Sequence, residues 1–179
     1  MKQEFFEKRV LLPEGFSASV EGKTLSVSGS GKNAERHFKA KGILLACEGK
    51  EIVVRAEPSS RKMNALASTV ASHVKNMCSG IRTEYVYSLL VVFSHFPMNV
   101  SVKGAVVEIN NFVGEKKARA ARIMPGASVS IKGKEIVVKS HNKEAAGQTA
   151  ANLERATKVR GKDTRIYQDG IFIVSKGAK

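Results

Sequence analysis

Gly49-Lys50-Glu51-Ile52-Val53-Val54-Arg55 returns 84 residues later as Gly133-Lys134-Glu135-Ile136-Val137-Val138-Lys139, and Pro13 and Pro97 stand at the same offset. Each copy is preceded by short alternating segments with Gly turns and followed by a stretch of helical period. The chain therefore reads as two copies of one unit, with strands in pairs, then a helix, then a strand. In the first copy Ser17-Ala18-Ser19-Val20, Gly22 and Thr24-Leu25-Ser26-Val27-Ser28 form a period-two hairpin. The same pattern recurs at Leu44–Cys47 with Gly49 and Ile52–Arg55, at Val100–Val102 with Gly104 and Val106–Ile109, and at Val129–Ile131 with Gly133 and Ile136–Val138. A Gly at the centre of all four turns predicts a positive φ there.

Each pair of hairpins leads into a helix. Leu66, Val70, Val74 and Met77 make an apolar stripe, with Ser59 or Ser60 as N-cap and Gly80 as the expected stop. The second helix shows a thinner stripe, Ala146, Ala150, Leu153 and Thr157, with Asn142 as cap and Gly161 as stop. Final strands are expected over 84–92 and 165–174, each completing the sheet of its own copy, with 84–92 also leading directly into the second copy. The predicted fold is α+β: two tandem duplicated domains, each a small, mostly antiparallel β-sheet packed with an α-helix. The division is placed near 82, giving an N-terminal repeat domain 1–82 and a C-terminal repeat domain 83–179.

The length of 179 residues suits two domains of this kind, neither needing a metal or disulfide staple. Cys47 and Cys78 have no paired spacing and read as structural. The start of the chain lacks an apolar stretch of signal-peptide length, and a soluble intracellular protein with no membrane association is expected.

Thirty Lys and Arg against sixteen Asp and Glu give a net charge of +14. That excess exceeds what solubility asks of a small domain and points to a polyanionic partner, with ordinary solvated basic faces as the bland alternative. It is uneven: residues 1–88 hold 14 basic and 9 acidic groups, residues 89–179 hold 16 and 7. The densest cluster lies past the second helix, where Arg155, Lys158, Arg160, Lys162 and Arg165 are interrupted only by Asp163. A helix C-terminus attracts one or two cations by itself. Five in eleven residues suit a phosphate backbone, with Tyr167 to stack or hydrogen-bond. Residues 116–122 read as an alternating basic strand in which Lys117 and Arg119 share a face, either touching RNA or guarding an exposed edge.

No catalytic constellation emerges, and no cofactor is expected. His37, His73, His95 and His141 are dispersed without metal-ligand spacing, and His95 reads as structural. Ser28-Gly29-Ser30-Gly31-Lys32-Asn33 fails as a phosphate loop, because Ser26 stands where the first Gly is required and Asn33 where Ser or Thr would hold magnesium.

Val92-Phe93-Ser94-His95-Phe96-Pro97-Met98-Asn99-Val100, Asn111-Phe112-Val113-Gly114-Glu115-Lys116, Gly147-Gln148-Thr149-Ala150-Ala151-Asn152 and Tyr167-Gln168-Asp169-Gly170-Ile171-Phe172 carry a further signal. With the two Pro starts, they resemble the universal large-subunit ribosomal protein six family across essentially the whole chain. The resemblance is to its archaeal and eukaryotic branch, which includes eukaryotic large-subunit protein nine. The bacterial Pro-Glu-Pro-Tyr-Lys-Gly-Lys-Gly signature is replaced by Lys158-Val159-Arg160-Gly161-Lys162-Asp163-Thr164-Arg165, and Ala118 and Thr164 stand where the family often has Pro. The resemblance implies a non-enzymatic cytoplasmic protein of the ribosome that binds large-subunit rRNA mainly through its second domain. The implied location is near the sarcin-ricin loop, the stalk base and the translation-factor site, among neighbouring ribosomal proteins and translation factors. It also implies no homo-oligomer. On that basis Arg155, Lys158, Arg160, Lys162 and Arg165 are expected to contact phosphate, Tyr167 to supplement them, and Lys117 and Arg119 to form a weaker second surface. A free RNA chaperone remains the alternative, distinguished by binding many RNAs alike and sedimenting apart from ribosomes. An RNA-modifying enzyme would need an acid, base or metal set.

Overall fold

The computed structural model describes residues 5–177, and the chain divides into two compact units, 1–83 and 84–179. The first unit runs β1 (Phe6–Leu11), β2 (Phe16–Glu21), β3 (Thr24–Gly29), β4 (Lys32–His37), β5 (Ile43–Glu48), β6 (Glu51–Ala56) and α1 (Arg61–Arg82). The second runs β7 (Tyr85–Val92), β8 (Asn99–Lys103), β9 (Val106–Asn110), β10 (Arg119–Arg122), β11 (Ser128–Lys132), β12 (Glu135–Ser140), α2 (Lys143–Ala156) and β13 (Gly170–Lys176). The α+β class and the duplication follow the sequence. No helix among the described residues is long and apolar enough to cross a membrane.

The four predicted hairpins are present as β2/β3, β5/β6, β8/β9 and β11/β12. Gly22, Gly49, Gly104 and Gly133 open their two-residue turns with φ between 60° and 61°. Alternation then buries one face: Leu25 and Val27 in β3, and Val107 and Ile109 in β9, are all fully buried. Residues 28–33 form a further hairpin rather than a phosphate loop. Gly29 pairs with Lys32, and Ser30 and Gly31 take φ of 50° and 74°, the double positive φ of a tight hairpin turn.

Each unit holds two sheets where one was expected. The first has β2-β3-β4 and β1-β6-β5, and the second has β10-β9-β8 and β11-β12-β7-β13, every pairing antiparallel. The strand expected over 84–92 to finish the first sheet is β7, the inner strand between β12 and β13 of the second unit. Its counterpart in the first unit is β1. The Leu12 N–H donates to the Lys50 carbonyl at 2.9 Å and the Val91 N–H to the Lys134 carbonyl at 2.8 Å, so Leu12 and Val91 occupy the same place beside equivalent turns. Residues 92–96 are therefore an insertion in the second copy, running from the last residue of β7 up to Pro97. The repeat begins with its own strand and ends with the helix, and among the described residues β13 is an addition of the second unit alone.

Both helices carry the predicted N-caps: the Ser60 hydroxyl accepts from the Met63 N–H at 3.2 Å, and the Asn142 side chain from the Glu144 N–H at 2.9 Å. Neither Gly stop operates. Gly80 lies inside α1, which continues to Arg82 because Cys78 and Ile81 still bury against the core. α2 ends at Ala156, five residues before Gly161, for reasons that belong to the site.

Candidate nucleic-acid interface

The C-terminal end of α2 is tied down from two sides. Thr157, 3% exposed, turns out of the helix, and its hydroxyl accepts the Ile171 N–H at 2.9 Å, fastening the helix end to β13. From the other side Arg119, the first residue of β10, donates Nη1–H to the carbonyls of Ala156 at 2.8 Å and Lys158 at 3.1 Å. Its Nε and Nη2 grip Glu115 at 2.8 and 2.6 Å, and its guanidinium lies 4.2 Å from the centre of the buried Phe112 ring. Four of its five N–H donors are thus committed within the protein. A cation on the last carbonyls of a helix neutralises the negative end of its dipole and satisfies acceptors that the helix leaves open. Arg119 is a positioning residue, shaping the start of the basic loop. The Arg119 hydrogen bonds hold the Glu115 carboxyl below its usual range against the opposing effect of burial, and the positive charges of Arg119 and Lys162 add to the lowering.

The loop over 157–169 carries the predicted cations into solvent. Arg155, in the last turn of α2, and Lys158, Arg160, Lys162 and Arg165 are all exposed. Arg165 stands in a turn, because β13 starts only at Gly170. Asp163, the single acid of the cluster, builds that turn. Its carboxylate accepts the Arg165 N–H at 2.9 Å and its carbonyl accepts the Tyr167 N–H at 2.9 Å. Lys117 is exposed in the segment before β10, so the basic strand expected over 116–122 begins only at Arg119 and the two residues do not share a strand face.

Tyr167 is half-buried and already has ring partners. The His95 ring stacks on it at 4.7 Å between centroids, and Lys162 Nζ lies 4.4 Å from its centre. Beneath them sits Asp169, 1% exposed. Its Oδ1 accepts the Ser94 N–H at 2.6 Å and the Ser94 hydroxyl at 3.0 Å. His95 Nδ1 lies 3.2 Å from the Ser94 hydroxyl and 3.4 Å from Oδ2, and Oδ2 has no hydrogen-bond partner among the described residues. Burial raises the Asp169 pKa, but donation from Ser94 and the nearness of His95 outweigh it and leave the carboxyl below its ordinary value. Ser94 and His95 come from the 92–96 insertion, which therefore anchors the far end of the loop. Between loop, α2 and β13 lies a groove of about 780 Å³ lined by Val159 and Phe172 together with Glu154, Arg155 and Lys158.

Preformed, outward-pointing cations on a braced loop suit a ribose-phosphate backbone. Among the described residues no group of three or more His, Cys, Asp or Glu is placed to hold a metal ion.

The family model described as Ribosomal protein L6 matches residues 96–170, from the insertion to the first residue of β13. The large ribosomal subunit protein uL6 of Methanospirillum hungatei is 41% identical over 95% of this chain and 97% of its own. Those of Methanococcus vannielii and Aeropyrum pernix are 41% and 42% identical over at least 93% of both chains. The chain belongs to the uL6 family. Its relatives place it in the archaeal branch.

In this uL6-family chain the exposed cations were legible from spacing alone, but their supports were not. Asp169, Ser94 and Thr157 act through contacts that cross the sequence, as do the bonds from Arg119 to the end of α2. Asp169 and Ser94, for instance, are 75 residues apart. Two local signals were present: Glu115 stands four residues before Arg119, and Asp163 stands two residues before Arg165, where its side chain folds back on its own backbone.

Proposed function

We propose that this large-subunit ribosomal protein holds rRNA through the loop between α2 and β13, with Arg155, Lys158, Arg160, Lys162 and Arg165 on phosphates and Lys117 as a weaker contact beside them. The supporting observation is the division of labour at the loop. Five cations are exposed, while Arg119, Asp163, Thr157 and Asp169 are occupied inside the protein. Tyr167, packed with His95 and Lys162, offers its hydroxyl and remaining ring surface to RNA. Binding of this kind is architectural: it joins rRNA elements in the cytoplasmic ribosome without bond chemistry. From the family, we place the contact near the sarcin-ricin loop and the stalk base, where stiffening the RNA supports translation-factor action.

The test replaces the five cations by Ala. The variant is expected to keep its circular dichroism and fail to enter large subunits, or to enter them with impaired factor-dependent GTP hydrolysis. Normal assembly and hydrolysis would overturn the assignment.

A further inference from the structure

The duplication exposes an unequal ending. In the second unit the free side of β7 is covered by β13, with Gly170 opposite Val92 and Phe172 opposite Leu90. In the first unit the corresponding strand, β1, is an edge strand with no neighbour on its other side among the described residues. Since Leu12 bonds across to Lys50, antiparallel alternation turns Val10 and Lys8 toward β6 and sends the backbone N–H and C=O groups of Glu7, Arg9 and Leu11 outward. Leu11 and Arg9 are thus the equivalents of Leu90 and Ser88, whose outward groups β13 takes. Leu11 is 72% exposed.

Beside this edge runs a groove of about 450 Å³ walled by Arg9, Leu11 and Pro13 on the strand side and Lys75, Cys78 and Ser79 on α1. In the second unit the corresponding space is filled by β13, whose Ile171 is 1% exposed and whose Ile173 packs on the same core. On the groove's rim Arg9 is paired with Glu7 and Glu51, whereas Lys75 has no ion pair among the described residues.

We propose that the β1 edge is a docking site for an extended segment of another protein, which adds to the sheet as β13 does in the second unit. The segment carries alternating aliphatic side chains facing the groove and a carboxylate opposite Lys75. Main-chain hydrogen bonds supply affinity in strand addition and the pockets for alternate side chains supply selectivity. The inference concerns the first unit and is independent of the RNA assignment made for the second.

The test uses the full-length chain with p-benzoylphenylalanine in place of Ser79, irradiated in its host cells, with adducts mapped by mass spectrometry. The expected product joins the probe to an extended, alternating aliphatic segment of one other protein. Leu11→Pro removes an outward N–H without touching a bond to β6 and should lower the adduct yield about tenfold at unchanged circular dichroism. If Leu11→Pro disturbs folding, Lys75→Glu on the exposed helix surface should give the same loss by charge reversal. Adducts only to RNA, only to a second copy of this chain, or none at all would overturn the proposal, as would yields unchanged in the folded variants. Sedimentation of the same lysate reports separately on ribosomal incorporation, so loss of that reading leaves this outcome interpretable.

Discussion

Arg119 and Lys158 are both basic residues near one loop, yet they do different things. Arg119 fixes backbone carbonyls and Glu115, so Arg119→Lys keeps the charge but loses the planar fork that reaches four partners. The expected result is a loss of about 1–3 kcal/mol in denaturant unfolding with the salt dependence of RNA binding unchanged. Lys158→Ala should do the reverse, leaving stability within about 0.5 kcal/mol and lowering the slope of log affinity against log salt by about 1. Asp169 adds a pH dependence. Its folded pKa is depressed, so its contribution is fully present above its unfolded value of about 4 and disappears as pH falls through the folded value. Asp169→Asn should therefore destabilise the protein at pH 7 and flatten the decline in stability below pH 4. Denaturant titrations at pH 7 and pH 3 check both.

At the level of elements, the hairpin turns rest on backbone conformation. Gly133 has φ of 60° and nothing within 4 Å of where a Cβ would stand, so Gly133→Ala tests strain without a clash. A loss of about 1 kcal/mol is expected, read from the denaturation midpoint. These hairpins were legible because turn and alternation are local, and the N-caps at Ser60 and Asn142 were legible for the same reason. Helix ends were not. Gly80 looked like a stop, but burial of Cys78 and Ile81 favours two more residues of helix, and α2 stops early because β13 engages the Thr157 hydroxyl at its end and Arg119 of β10 holds its last carbonyls. The fate of β7 was also hidden. Tyr85–Val92 reads as a strand in any context, and only pairing with β12 and β13 shows that it belongs to the second unit. For the same reason the exposed cations of the loop stood out in sequence, while the buried carboxylate that anchors the loop did not.

For the whole molecule, the division at Thr83 and Glu84 changes the weight of the charge argument. Counted on that boundary, the first unit holds 14 basic and 8 acidic residues and the second 16 and 8, a smaller contrast than a count by halves suggests. Net charge thus accounts for a general attraction to polyanions, and the arrangement of cations on one braced loop is what favours the second unit in the proposed RNA contact. Five phosphate contacts correspond to a log–log salt slope of about −3 to −5, and the five-Ala variant should reduce it to near zero for this loop's contribution. The most direct measurement is protein–RNA crosslinking in sedimented native lysate, with the attached RNA sequenced. Crosslinks from residues 155–167 to one large-subunit rRNA locus, in the ribosomal fraction, are the predicted result. Crosslinks scattered over many RNAs in light fractions, or arising from the first unit alone, would contradict it.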